Sequence, residues 1–144
     1  IHEGHTGLVR CNGMFAFAFY DTVERTLLLG RDHFGIKPLY YSSLKNGGMA
    51  FASEIKALFH CPGIDIAADM DGICEYMFLQ FRFGEATLFK NIYKVQPGHV
   101  IRLAAGDQPR TLRWHASETC LDPYHNEQYF VDSLEIEVCQ KQIK

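Results

Sequence analysis

Apolar positions alternate on both sides of the segment Met14 to Tyr20: Phe15, Phe17 and Phe19 fall on one face, and Met14, Ala16, Ala18 and Tyr20 on the other. A strand apolar on both faces is predicted to be central in a covered sheet. Asp21 to Arg25 reads as a turn and Thr26 to Gly30 as the antiparallel return. Leu39 to Ser42 and Met49 to Ala52 flank Lys45-Asn46-Gly47-Gly48, whose Asn-Gly pair is a strong hairpin signal. Four sequential antiparallel strands are therefore expected. His99 to Leu103 and Arg110 to Trp114 add a further hairpin across Ala105-Gly106-Asp107.

The period changes after Ala52. Ser53 is placed to cap a helix carrying Ile55, Leu58 and Phe59, which Cys61-Pro62-Gly63 ends. A second helix opens at Asp69 and carries Met70, Ile73, Cys74, Met77, Phe78 and Phe81 as an unbroken stripe, expected to be core. Residues 1–10 read as the tail of a helix stopped by Asn12-Gly13, with His2 and His5 on a solvated face, since no third ligand stands near them. Arg82 to Ala86 is a loop, and Pro97-Gly98 a turn. From His115 to His125 the sequence is polar and irregular, as in a linker. A final amphipathic helix follows, with Phe130, Val131, Leu134 and Val138 on one side, and it calls for a partner domain.

With 47% hydrophobic and 22% charged residues, the 144-residue chain is globular in composition and long enough for a core without staples. A net charge of -3 gives no basic footprint for nucleic acid or an anionic membrane, so neither is expected as a partner. No apolar run reaches the roughly 20 residues that span a bilayer, and no signal peptide is legible. Cys11, Cys61, Cys74, Cys120 and Cys139 are odd in number and lack a C-x-x-C, which predicts free thiols in the cytoplasm. His60, Cys61 and Cys74 match no zinc spacing, and no metal site is expected. The chain opens on Ile1 in mid-pattern, as would a piece of a longer protein.

Candidate chemistry concentrates between Gly30 and Tyr40, where Arg31, Asp32, Gly35 and Pro38 are wedged between two apolar strands. Gly35 can take a backbone angle that strains other residues, and Pro38 suits the first residue of a strand. Arg31 and Asp32 allow two readings: a structural pair whose donors and acceptors satisfy loop backbone groups, or a clamp on a substrate carboxylate. Structural ion pairs are the commoner kind. Phosphate-loop, dinucleotide, zincin and nucleophile-elbow motifs are all missing from the sequence. On residue patterns alone this is a soluble domain of mixed helix and antiparallel sheet.

Four blocks nevertheless occur in a specific order. Asn12-Gly13-Met14-Phe15-Ala16-Phe17-Ala18, Arg31 to Tyr41, Phe51-Ala52-Ser53-Glu54-Ile55-Lys56-Ala57-Leu58, and Thr87 to His99 resemble the second half of the glutaminase domain of glutamine-hydrolysing asparagine synthetases, which are class II amidotransferases. The likeness continues to Trp114, and the final helix is similar to the first helix of the synthetase domain.

The resemblance implies an α+β fold, a partial αββα sandwich of the N-terminal-nucleophile hydrolase type with antiparallel sheets. It implies residues 1–114 as the glutaminase half, 115–125 as linker and 126–144 as the synthetase helix, packed on the synthetase domain. It implies an enzyme that releases ammonia from glutamine with an N-terminal cysteine and delivers it through a tunnel to aspartate activated by MgATP. Met14 would lie along the ammonia route, and Arg31, Asp32, Gly35 and Pro38 would be structural loop residues. The family's nucleophile, its substrate-binding residues and its ATP-pyrophosphate loop match no position of this sequence. The chain alone is thus expected to bind no cofactor and to be inactive. Another class II amidotransferase with a different acceptor, or a non-catalytic docking domain, are the alternatives.

Overall fold

The computed structural model describes residues 4–45 and 47–115. His2, Asn46, Cys120, Cys139, the expected linker after its first residue His115, and the expected final helix lie outside the described residues. After a 3-10 segment, Gly4–Arg10, come the strands β1 (Ala16–Asp21), β2 (Thr26–Arg31), β3 (Tyr40–Ser43) and β4 (Met49–Ala52). Then follow α1 (Ile55–Leu58), α2 (Met70–Leu79), β5 (Tyr93–Lys94), β6 (His99–Ala104) and β7 (Arg110–Arg113).

The strands form two antiparallel sheets, in the orders β1-β2-β6-β7 and β4-β3-β5. Asp21 shapes the first turn, its Oδ1 accepting from Val23 N–H at 2.9 Å and Glu24 N–H at 3.0 Å. That turn sets a register running from Asp21 opposite Thr26 to Ala16 opposite Arg31. In the second sheet the Leu44 N–H donates to Gly48 O at 2.8 Å, closing the hairpin that pairs Ser43 with Met49. Leu29 and Ile101 from the first sheet meet Leu39, Tyr41 and Val95 around the second in one buried cluster. The sheets thus share a core, with helices flanking them: the α+β arrangement of an αββα N-terminal-nucleophile sandwich.

Three expectations are corrected. Among the described residues the Met14 to Tyr20 strand stands at the edge of its sheet rather than in the centre. Among the described residues β1 pairs only with β2, and Phe19 and Tyr20 stand 38% and 55% exposed. Apolar alternation reports that two faces are suited to cover, and it is silent about edges. The four sequential strands fall in two sheets, because loop 32–39 carries the chain from the first sheet to the second. Ser53 does not cap α1; Glu54 occupies the N-cap position, and its side chain makes no capping hydrogen bond.

The third correction concerns α2, whose stripe is exposed rather than core: Met70, Met77 and Phe78 are 62%, 70% and 86% exposed, and Gly72 is the helix's only buried residue. Asp69 does stand at the N-cap, but its carboxylate turns to Arg82 at 2.6 Å instead of to the helix amides. Amphipathic spacing identified the helix correctly and could not say what covers its face. None of the helices described is long and apolar enough to cross a membrane.

Candidate functional site

The segment from Arg31 to Leu39 leaves β2 and enters β3 as a loop closed on itself. The Asp32 carboxylate is its centre: Oδ1 accepts from Phe34 N–H at 3.1 Å and Ile36 N–H at 3.0 Å, and Oδ2 from Lys37 N–H at 3.0 Å. Asp32 is only 1% exposed. Burial by itself would push this carboxyl up, but the backbone amides of Lys37, Ile36, Phe34 and Phe15 outweigh it and hold the group below the usual carboxylate range. The backbone of Asp32 is equally engaged. Its N–H donates to Phe15 O at 2.9 Å, and its carbonyl accepts from Gly35 N–H at 3.2 Å and Gly98 N–H at 2.9 Å.

Arg31 works on carbonyls. Nε donates to Lys37 O at 2.8 Å, one terminal nitrogen to Val95 O at 2.8 Å and the other to Gly35 O. Burial draws its pKa below the usual guanidinium value, with Tyr40 and Asp32 opposing, and the group remains a cation at neutral pH. Gly35 has φ +66°, and a Cβ there would stand 2.7 Å from Pro97 Cγ and 3.0 Å from Arg31 Cζ. Only glycine fits. Pro38, without an N–H to satisfy, hands the chain to the buried Leu39.

A second turn closes over the first. Gly98 O accepts from Trp114 N–H at 3.0 Å and His115 N–H at 3.2 Å, while the indole N–H of Trp114 donates to Arg31 O at 3.2 Å. Gly98 has φ +68° with His115 O only 2.8 Å from where a Cβ would be. On the outside of this junction the His33 ring meets Trp114 at 4.7 Å and His115 at 4.4 Å between centroids, both edge to face.

Arg31, Asp32, Gly35 and Pro38, picked out by residue type, therefore sit in one connected loop. Met14 precedes Phe15, whose carbonyl receives the Asp32 N–H, and is 60% exposed. Beside Pro38, a shallow depression of about 380 Å³ is lined by Tyr40, Ser53, Glu54, Ile55 and Lys56. Its charges, Lys56 and Glu54, pair with each other at 2.7 Å in solvent.

Sequence reading passed over three groups. Thr87 is 7% exposed and its hydroxyl donates to Ile92 O at 2.7 Å. Arg82 bridges Asp69 and Glu75, and Lys94 Nζ donates to Arg82 O at 2.8 Å. A charged residue ending an apolar stripe was the available signal for Arg82. Among the described residues no group of three or more His, Cys, Asp or Glu is placed to hold a metal ion.

A sequence profile described as a glutamine amidotransferase domain matches residues 1–115. The chain belongs to that family. This amidotransferase domain is 37% identical over 131 residues to a Mycobacterium tuberculosis protein whose name gives it, provisionally, as a glutamine-hydrolysing asparagine synthetase, covering 88% of the chain and 20% of that relative. To glutamine-hydrolysing asparagine synthetase 1 of Bacillus subtilis it is 40% identical over 97 residues, 67% of the chain and 15% of the relative. It is also similar to the amidase chry2 of Gibberella zeae, 32% identical over 100 residues, 69% of the chain and 14% of the relative. The chain thus spans about a fifth or less of the length of these proteins.

Proposed function

We propose that these residues are part of a glutamine-dependent asparagine synthetase, in which glutamine hydrolysis supplies ammonia to aspartate activated by MgATP in the cytoplasm. The observation that carries this reading is the amidotransferase match over residues 1–115 joined to similarity with asparagine synthetases. Residues 1–114 would contribute to the glutaminase domain, 115–125 would link, and 126–144 would form a helix packed on the synthetase domain. Met14 would lie along the ammonia route.

Within that enzyme, Arg31, Asp32, Gly35 and Pro38 would hold shape rather than bind glutamine. Three backbone amides occupy the Asp32 carboxylate and three carbonyls occupy the Arg31 guanidinium, so neither retains the open fork that a substrate carboxylate would need. MgATP would act in the synthetase part of the proposed enzyme, outside residues 1–114.

The 144 residues alone should release no ammonia from glutamine. A thiol of this class uses a free α-amine with a pKa of about 8 as its base. The nitrogen of Cys11 is instead a peptide N–H donating to Leu8 O at 2.9 Å. An ammonia-release assay on the purified chain tests this: a signal no higher than a heat-killed control is expected, and glutamine-dependent ammonia abolished by Cys11→Ala would overturn it. The similarity to an amidase of another name favours, as a second reading, an amidotransferase with a different acceptor. Aspartate-dependent product formation by the complete enzyme separates the two.

A further inference from the structure

The two edges of the first sheet are built differently. β7 exposes Arg110, Thr111 and Arg113, and charged side chains of this kind guard an edge against pairing. β1 carries no charge from Ala16 to Tyr20 and, among the described residues, pairs with β2 alone. Backbone groups alternate sides along an antiparallel strand, and Phe15 O accepts from the Asp32 N–H, so Phe17 and Phe19 turn their amides and carbonyls to β2. Ala16, Ala18 and Tyr20 therefore turn theirs outward. The Phe17 ring leans away from that edge, over Gly30 of β2, where a Cβ would collide with it. Solvent reaches Ala18, Phe19 and Tyr20.

We propose that β1 is a strand-pairing edge and that its partner is β1 of a second copy of this chain, joined antiparallel about a twofold axis through Ala18. In that register Ala18 faces its own counterpart and Ala16 faces Tyr20 of the second copy, so the outward amides and carbonyls of all three find partners. Shifting the axis by one residue either way would draw in Met14 or Thr22, which lie outside the strand. The side chains are self-complementary as well. On the face that carries Ala16 against the core cluster, large Tyr20 meets small Ala16. On the other face Phe17 meets Phe19 of the second copy, an aromatic cross-strand pair. The strand's one charge, Asp21, falls opposite Phe15, so like charges are not opposed. Such a contact is isologous and closes on itself, and the arginines of β7 discourage the head-to-tail pairing of β1 with β7 that would grow without limit. A single pair of edges buries little area, so the dimer is weak.

The test uses the 144-residue chain. Sedimentation equilibrium between about 10 and about 500 µM should show monomer giving way to dimer, as a small interface implies. Amide exchange at the two ends of that range reads the register: Ala16, Ala18 and Tyr20 should gain protection severalfold at the higher concentration, while Phe17 and Phe19, already bonded to β2, keep theirs. Ala18→Pro removes an outward N–H and spares the β2 ladder, so it should raise the dissociation constant about tenfold or more with Leu29 protection unchanged. Thr111→Pro, on the guarded edge, should leave the dimer intact. A chain that stays monomeric throughout would overturn the proposal. So would protection of the three amides at every concentration, which would put a segment of the same chain on the edge, or a dimer in which they exchange freely, which would point to the exposed face of α2. Those three outcomes are read in the unaltered chain and need no variant to fold.

Discussion

Two arginines organise two regions of this domain in opposite ways. Arg31 spends its donors on backbone carbonyls, one of them at Val95, 64 residues away around the second sheet. Arg82 spends its donors on carboxylates of Asp69 and Glu75, 13 and 7 residues back, at the cap and within α2. The first therefore ties remote backbone segments into one body, while the second ties a helix to its own tail. Carbonyls cannot be protonated in the working range of pH, so the Arg31 contacts should persist where the Arg82 pairs are screened by salt and by water. Their settings differ accordingly: the Asp32 loop has a closed interior, and α2 presents Met77 and Phe78 to solvent.

The largest effect that would test this contrast is Asp32→Ala. Leaving the amides of Phe34, Ile36 and Lys37 without their acceptor should cost about 3 kcal/mol, read from the urea midpoint. Because the folded Asp32 pKa lies below its unfolded value, the stability it confers is fully present above the unfolded value of about 4 and is lost as pH falls through the folded one. Asp32→Asn should accordingly flatten the acid limb of a stability profile below about pH 4. In the proposed synthetase, an unchanged melting temperature with selective loss of glutamine turnover would refute the shape-holding role.

Arg82→Met comes next, at about 1 kcal/mol, since Asp69 and Glu75 are partly solvated and can rehydrate. The loss should be local, with α2 amides exchanging faster and β2 amides unchanged. A cost equal to that of Asp32→Ala would erase the distinction between the two regions.

Lys94→Met should be the smallest, within about 0.5 kcal/mol. Burial, then Arg31 and Arg82, lower the Lys94 pKa against the pull of Glu75, so its charge is a burden in the folded state. A cation with a depressed folded pKa gains stability only as pH rises toward its unfolded value. Removing the charge should therefore offset most of the lost bond to Arg82 O. Circular dichroism on thermal unfolding near neutral pH suffices, and a drop near that of Arg82→Met would show that the bond outweighs the burial.

Local chemistry made part of this legible before any coordinates. Asp21 and the Lys45 to Gly48 stretch announced hairpins because turn geometry depends on few neighbouring residues. Gly35 and Pro38 likewise marked an irregular loop, since each residue type is costly elsewhere. What stayed hidden was tertiary. Nothing about Val95 says that its carbonyl will meet Arg31, and Trp114 read as the end of a strand although its indole N–H reaches the loop's first carbonyl. The α2 stripe failed for a related reason: periodicity defines a face, and cover for that face is decided by the rest of the protein.

The bond from Trp114 to Arg31 spans 83 residues, and it bears on how the domain is made. The β1–β2 hairpin can assemble as soon as it is synthesised, for its partners are neighbours in sequence. The Asp32 loop cannot be completed so early, because Val95, Gly98 and Trp114, which hold it from outside, are all added later. Late-arriving partners of high sequence separation make this closure slow, and the half-built loop is left open on the ribosome until β7 and Trp114 emerge. Translation order thus makes this loop one of the later parts of the described fold to become native.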